Sequence, residues 1–289
     1  MEREKNKTEG MTLYLVATPI GNLSDISERA IKVLSEVDFI AAEDTRNSAK
    51  LLGCLGIKKN LISYHEHNKK SAGEKILERL RGGESCALIT DAGMPAISDP
   101  GEDIVRLLAN EGIRVSVVPG ACACVSALSL SGLATGRFCF EGFLSANKGE
   151  RRERLERVKF EERTMIFYEA PHKLRATLAD MLEVFGGERR ISLCRELTKL
   201  NEEIIRTTLA AACEYYEAYE PRGEYALVIE GGDEAGVKKP DEADGLISLT
   251  PEEHVKHYEN RGLSRMDAIK KAAKDRGTTK SELYKLLHS

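Results

Sequence analysis

The stretch Leu13-Tyr14-Leu15-Val16-Ala17-Thr18-Pro19-Ile20-Gly21-Asn22-Leu23 decides the fold. Its first five residues form an unbroken apolar run, as a strand buried on both faces requires. A proline-and-glycine loop ends the run, and Ile26, Ala30, Val33, Leu34 and Val37 then repeat at helical spacing. Asp25, with Glu28 three residues on, is the expected cap of that helix. The same succession recurs. Apolar strands at 39–42, 86–90, 115–118 and 164–168 end in Glu43-Asp44-Thr45-Arg46, Asp91-Ala92-Gly93-Met94-Pro95, Pro119-Gly120-Ala121-Cys122-Ala123 and Tyr168-Glu169-Ala170-Pro171-His172. Strand alternating with helix predicts an α/β fold with a mostly parallel sheet and helices on both faces. Loops at the carboxyl ends of such strands form a ligand crevice, so these segments converge on one pocket built largely from backbone.

The pattern changes after Gly132, where a second α/β lobe begins. Expected divisions are a disordered lead-in at 1–11, an N-terminal α/β lobe at 12–133, a C-terminal α/β lobe at 134–232, a polar linker at 233–248 and a small helical unit at 249–289. That last unit has short helices around Gly277 and resembles a helix-turn-helix. It carries nine Lys/Arg against six Asp/Glu in a chain whose net charge is −4, a local excess that suits a polyanionic partner. The helix expected at 148–158 is densely charged, and much of its charge can pair internally.

Composition excludes several classes. The 289 residues contain no apolar run long enough to span a membrane, and the charged start has no apolar core of a secretory signal. Seven cysteines without a Cys-x-x-Cys pair read as reduced thiols of a cytoplasmic protein; Cys122-Ala-Cys124 lacks the second pair that structural zinc needs, so no metal is expected. Loop 18–22 has one glycine and a proline where a dinucleotide fingerprint needs three glycines, and no P-loop occurs. His65 and His67 read as a surface loop. Asp99, ahead of Pro100-Gly101-Glu102, reads as a helix cap. Asp91 suits either a turn or a hydrogen bond to a ligand.

Five motifs in order carry a resemblance. They are Leu-Val-Ala-Thr-Pro-Ile-Gly-Asn-Leu-Ser-Asp-Ile (15–26), Ala-Ala-Glu-Asp-Thr-Arg (41–46), Asp-Ala-Gly-Met-Pro-Ala-Ile-Ser-Asp-Pro-Gly (91–101), Tyr-Glu-Ala-Pro-His-Lys (168–173) and Arg-Glu-Leu-Thr-Lys (195–199). Together they resemble the ribosomal RNA small subunit methyltransferase I family, within the tetrapyrrole-methylase-like methyltransferases. The resemblance implies two α/β lobes, S-adenosylmethionine bound between them, a homodimer, and 2′-O-methylation of a cytidine ribose in the decoding region of 16S rRNA or the 30S subunit. It implies a donor site at Asp91, Ala92, Gly93, Met94 and Ala96, floored by Pro19, with Gly120, Ala121 and Cys122 alongside. Tyr168, Glu169, Ala170 and Pro171, with the strand at Glu224 to Ala226, reach in from the second lobe.

A ribose hydroxyl is a poor acid, so methylating it calls for a base or an electrostatic partner. Candidates at strand ends are Glu43, Asp44, Glu169, His172, Glu196 and Lys199, with Glu43, His172 and Lys199 taken as the catalytic set. Lys199 serves as a base if cationic neighbours and burial depress its pKa, and otherwise pairs with Glu196 or Glu202. Arg46, Arg137 and Arg195 suit phosphate contacts, and the helix opened by Lys148 offers an RNA-facing edge. The competing functions are a methylase of a tetrapyrrole or other small molecule, and a non-catalytic RNA-binding assembly factor.

Overall fold

The computed structural model describes residues 7–232, 249–260 and 263–287. The chain divides into two units, Met1–Gly231 and Gly232–Ser289. The linker expected at 233–248 lies outside the described residues.

The first lobe holds β1 (Thr12–Val16), β2 (Phe39–Ala42), β3 (Asn60–Ser63), β4 (Cys86–Ile89) and β5 (Arg114–Val118). All pair in parallel, in the order β3-β2-β4-β1-β5. The helices between them are α1 (Glu28–Glu36), α2 (Thr45–Cys54), α3 (Lys69–Arg81) and α4 (Glu102–Asn110). Successive strand residues point to opposite faces, so the apolar runs supply two cores. Leu13, Phe39, Ala41 and Leu88 pack with Ile76 and Leu80 of α3 and Ile104 and Leu108 of α4. Tyr14, Val16, Ile40 and Ile89 pack with Val33 and Leu34 of α1. The strand β3 escapes sequence reading because Asn60-Leu61-Ile62-Ser63 is short, polar at both ends and at the sheet edge.

Some expected boundaries differ. Ser27, not Asp25, caps α1: its side chain accepts from the Ala30 amide, while Asn22 caps a 3-10 turn at Leu23–Asp25. Gly101, not Asp99, is the N-cap of α4. In the lead-in, Thr8, Glu9 and Met11 are hydrogen-bonded to the lobe. The Met11 amide donates to the Glu84 carbonyl at 2.8 Å and the Glu9 amide to the Tyr14 hydroxyl at 2.8 Å.

The second sheet contains β6 (Phe138–Phe143), β7 (Thr164–Glu169), β8 (Arg190–Arg195), β9 (Glu203–Thr208) and β10 (Tyr225–Ile229), in the order β6-β7-β10-β8-β9. Only β6 and β7 are parallel; the other pairs are antiparallel. The edge strand β9, half-exposed and carrying Arg206-Thr207-Thr208, shows no alternating apolar signal in the sequence. The helices α6 (Lys148–Arg157), α7 (Pro171–Phe185) and α8 (Leu209–Ala218) belong to this lobe. The other face of its sheet is covered by α5 (Ala123–Ser131), whose Cys124, Ala127 and Leu128 pack on Ile166, Cys194, Ala226 and Val228. Sequence placed α5 in the first lobe; its packing joins it to the second.

The unit Gly232–Ser289 holds α9 (Pro251–Asn260), α10 (Arg265–Asp275) and α11 (Lys280–Leu286). They enclose Val255, Tyr258, Ala268, Ile269, Ala272 and Leu283. A capping box of Thr279 and Glu282 starts α11. No described helix is long and apolar enough to cross a membrane.

A buried ion pair ties α6 to α7. Arg151 and Asp180 meet at 2.6 Å with side chains 6% and 5% exposed, and Arg151 also donates to the Ser145 and Ala146 carbonyls. Removing one partner leaves an uncompensated buried charge. Asp180→Ala should destabilise the protein by about 3–5 kcal/mol in urea unfolding; a loss under about 1 kcal/mol would show that water reaches the pair.

Candidate active site

A cavity of about 500 Å³ opens where β1, β2 and β4 end and the second lobe begins. Its first-lobe wall comprises Ile20, Glu43, Asp91 to Met94, Ile97 to Asp99, Cys122 and Ala123. Opposite stand Phe143, Tyr168 to Pro171, Cys194, Glu196, Leu197, Lys199 and Glu224 to Ala226. The expected donor-site residues Asp91, Ala92, Gly93, Met94, Cys122, Tyr168, Glu169, Ala170, Pro171 and Ala226 therefore come together. Pro19, Ala96, Gly120 and Ala121, also expected at the donor site, are not among the lining residues.

Backbone pairing sets the floor. The Thr18 amide donates to the Gly93 carbonyl at 2.9 Å, and the Gly93 amide returns a bond at 3.1 Å. Gly93 has φ +84°, and a Cβ there would press on Ile20 at 3.2 Å. Of the five described non-glycine residues with positive φ, four lie in the two loops facing the cavity: Ala96 and Ser98 on one side, Glu196 and Thr198 on the other. Each such conformation costs about 1–3 kcal/mol and persists only where the surroundings enforce it. The surroundings here are tight: Gly101 approaches Ala96 so closely that a Cβ would lie 3.0 Å from the Ala96 nitrogen. Strain in this loop turns Asp99 away from capping α4 and into the cavity.

Carboxylates dominate the first-lobe wall. The Thr90 hydroxyl donates to Glu43 Oε2 at 2.9 Å. Burial, and then the nearby Glu43 charge, push the Asp99 carboxyl up to about 6. Asn47 Nδ2 donates to Asp91 Oδ2 at 2.9 Å. On the opposite wall Glu169 is buried and fully engaged. Its carboxylate accepts from the Ala170 amide at 2.9 Å and from the Thr177 hydroxyl, and Lys173 Nζ lies 3.4 Å away. Glu169 thereby fixes the start of α7. Tyr168 is wedged between Phe140 and Phe143, with ring centroids 4.9 and 5.5 Å away, and burial raises its hydroxyl pKa. Cys122 Sγ lies 3.4 Å from Cys124 Sγ. The hydrogen bond from Cys124 lowers the Cys122 thiol below its ordinary value, outweighing burial.

Lys199 departs from the expectation of a depressed amine. Its Nζ lies 2.8 Å from Glu224 and 2.9 Å from Glu196. Burial pulls its pKa down, but these carboxylates prevail and raise it. It stands as an ammonium in an acidic frame, not beside cations. Gly21 lies against it; a Cβ there would sit 2.4 Å from Lys199 Cγ. His172 is exposed at the second residue of α7 and does not line the cavity.

The family profile described as Tetrapyrrole (Corrin/Porphyrin) Methylases matches residues 12–213. The ribosomal RNA small subunit methyltransferase I of Halalkalibacterium halodurans is 49% identical over 96% of this chain and 94% of its own length. The protein of that name from Bacillus subtilis is 46% identical over 98% and 96%. The chain belongs to the ribosomal RNA small subunit methyltransferase I family. Solved structures similar to it are a cobalt precorrin-4 methyltransferase, with TM-score 0.57 and 16% identity over 76% of this chain and 95% of that one. A diphthine synthase has TM-score 0.59 and 12% identity over 76% and 90%. At these identities they share the fold.

The cations expected to face RNA in this small subunit methyltransferase family member lie outside the main cavity. Arg46, with its side chain 86% exposed, is drawn to Asp44 at 2.8 Å, and the Arg46 hydrogen bond lowers the Asp44 carboxyl to about 2. Arg137 and Lys148 are exposed at the starts of β6 and α6. Arg195 is half-buried: its Nε donates to the Arg222 carbonyl at 2.8 Å, and Nη1 meets Glu203 at 3.0 Å. The lining residues that sequence reasoning missed include Asp99, Ser98, Phe143 and Leu197, whereas Glu224 lines the cavity as expected. Asp99 carried a misleading signal, since Asp-Pro-Gly-Glu is also what a helix start looks like.

The raised Asp99 pKa has a testable sign. The folded protein keeps this proton up to about pH 6, whereas the unfolded chain releases it near the ordinary aspartate value of 3.8. Wild type therefore loses stability as pH rises through that window. Asp99→Asn should gain about 1–2 kcal/mol on wild type at neutral pH, after allowance for solvent screening, and no such gain below about pH 4. Urea unfolding across that range checks it; a pH-independent difference would show a solvated carboxylate.

Proposed function

We propose that this chain methylates the ribose 2′-hydroxyl of a cytidine in the decoding region of 16S rRNA, in the cytoplasm and as a homodimer, with S-adenosylmethionine as donor. The observation that carries the proposal is one cavity walled by strand-end loops of both lobes, in a chain so close to rRNA methyltransferases. The residues present suit the donor. Small side chains at Ala92, Ala123, Ala170 and Ala226 expose backbone, Ile20, Met94 and Leu197 offer apolar contact, and the acids complement a positive sulfonium. When bound, S-adenosylmethionine supplies a methyl carbon already activated by its positive sulfur. Residues Asp91 to Met94, with Pro19 and Gly120 to Cys122, would hold it from the first lobe. Tyr168 to Pro171 and Ala226 would hold it from the second.

As the new C–O bond forms and the C–S bond breaks, the hydroxyl proton needs an acceptor. Glu43, oriented by Thr90, is that acceptor in this reading, and Asp99 beside it has a pKa close enough to working pH to share the proton. Lys199, an ammonium, lowers the energy of negative charge developing on the ribose oxygen. Arg46, Arg137 and Lys148 contact phosphates, and exposed His172 touches RNA rather than moving protons. Exposed Val117 on β5 and Val125 and Leu130 on α5 support a dimer contact.

Transfer of labelled methyl from S-adenosylmethionine to isolated small subunits, with release of 2′-O-methylcytidine on digestion, is the expected result. Labelling of a uroporphyrinogen-type acceptor instead would make the chain a small-molecule methylase, and no donor binding at all would make it a non-catalytic RNA-binding factor. Glu43→Gln should lower turnover by about 10²–10⁴-fold with donor affinity kept; wild-type turnover would remove Glu43 from proton transfer.

A further inference from the structure

Arg195 opens onto a second recess, about 250 Å³, that shares Tyr225 with the main cavity. Its walls are aromatic. Tyr215 on α8 and Tyr219 just beyond it stack with centroids 4.7 Å apart and planes 28° apart. Tyr216 meets Tyr225 edge-on at 5.9 Å. Tyr219 is 59% exposed and Tyr215 37%, an unusual outlay of ring surface to water. Two guanidiniums border the rings. Arg195 is clamped by the Arg222 carbonyl and Glu203, and the Arg222 side chain is 77% exposed. Arg175 fixes the end of α8 by donating to the Tyr216 and Tyr219 carbonyls.

We propose that this recess seats one nucleobase of the single-stranded RNA substrate, a neighbour of the nucleotide in the main cavity. The proposal rests on the RNA-methyltransferase reading. An open wall of stacked tyrosines offers a π-face to any base. The Arg195 and Arg222 guanidiniums complement the phosphates on either side, and the Glu203 and Glu220 carboxylates accept from base N–H edges. A free metabolite calls for enclosure, and this recess opens to solvent at Tyr219, which is 59% exposed. Tyr225 in both walls puts the two sites within one strand's reach, so a base seated here sets the register of the nucleotide beside it.

The test uses the full-length protein, a single-stranded oligoribonucleotide of decoding-region sequence, and Tyr215→Ala/Tyr219→Ala with Tyr215→Phe/Tyr219→Phe as the conservative pair. The alanine pair should lose roughly five- to hundredfold in RNA affinity, with donor affinity by calorimetry and thermal unfolding unchanged. The phenylalanine pair should restore RNA affinity, since it keeps the rings. Wild-type RNA affinity in the alanine pair, or loss of a dimer in place of RNA binding, overturns the proposal while wild-type methylation leaves the functional reading standing. A wild type that neither binds the oligoribonucleotide nor methylates small subunits overturns both.

Discussion

Thr18 and Gly93 exchange two backbone hydrogen bonds, and the Thr18 hydroxyl adds a third to the Thr90 carbonyl at 3.1 Å. This exchange fastens the loop after β1 to the loop after β4 at the centre of the first sheet. Pro19 and Ile20 are thereby set on one side and Met94 on the other. Glu43, Asp91 and Asp99 stand around the join. Gly93 is favoured because its φ of +84° would strain a residue with a side chain and because Ile20 leaves little room for one. Without that pairing the strand-end loops would have no common floor, and the acids no shared cavity.

The second lobe completes the site through two contacts of different kinds. One is hydrophobic: α5 leaves the first lobe's last loop and buries Cys124, Ala127 and Leu128 against the second sheet, so the lobes share a core. The other is steric and electrostatic. Gly21 admits the Lys199 stem, and Lys199 is held there by Glu196 and Glu224. The positive φ values of Glu196 and Thr198 show that this loop pays backbone strain to present those groups. The cavity thus has a carboxylate-rich wall facing a wall with a fixed ammonium. Such a field suits the cationic donor and the hydroxyl acceptor of the proposed reaction.

Much of this was legible from residue order alone. Unbroken apolar runs at 13–17, 39–42 and 86–90 are the signature of parallel strands, and they are β1, β2 and β4. The Pro-Gly-Asp loops after them line or underlie the cavity, as strand-end loops of open sheets do. Edge elements were not legible: Asn60–Ser63 and Glu203–Thr208 are half-exposed, so no alternation marks them. Nor was the allegiance of α5, whose small, uniformly apolar residues fit either lobe.

The sequence by itself determined the buried strands, the helices between them and the loops that end them, because local periodicity and turn chemistry are properties of neighbours along the chain. It also determined the family, through five motifs whose order and wording are specific. Tertiary structure alone decided what each polar side chain does. Asp99 became a cavity carboxyl instead of a helix cap because Ala96, Ser98 and Gly101 bend the loop through left-handed backbone. Lys199 became an ion-paired ammonium because a residue 25 positions away, Glu224, arrives on an adjacent turn. Charge and strain depend on distances in space, and residue order does not encode those until the chain has folded.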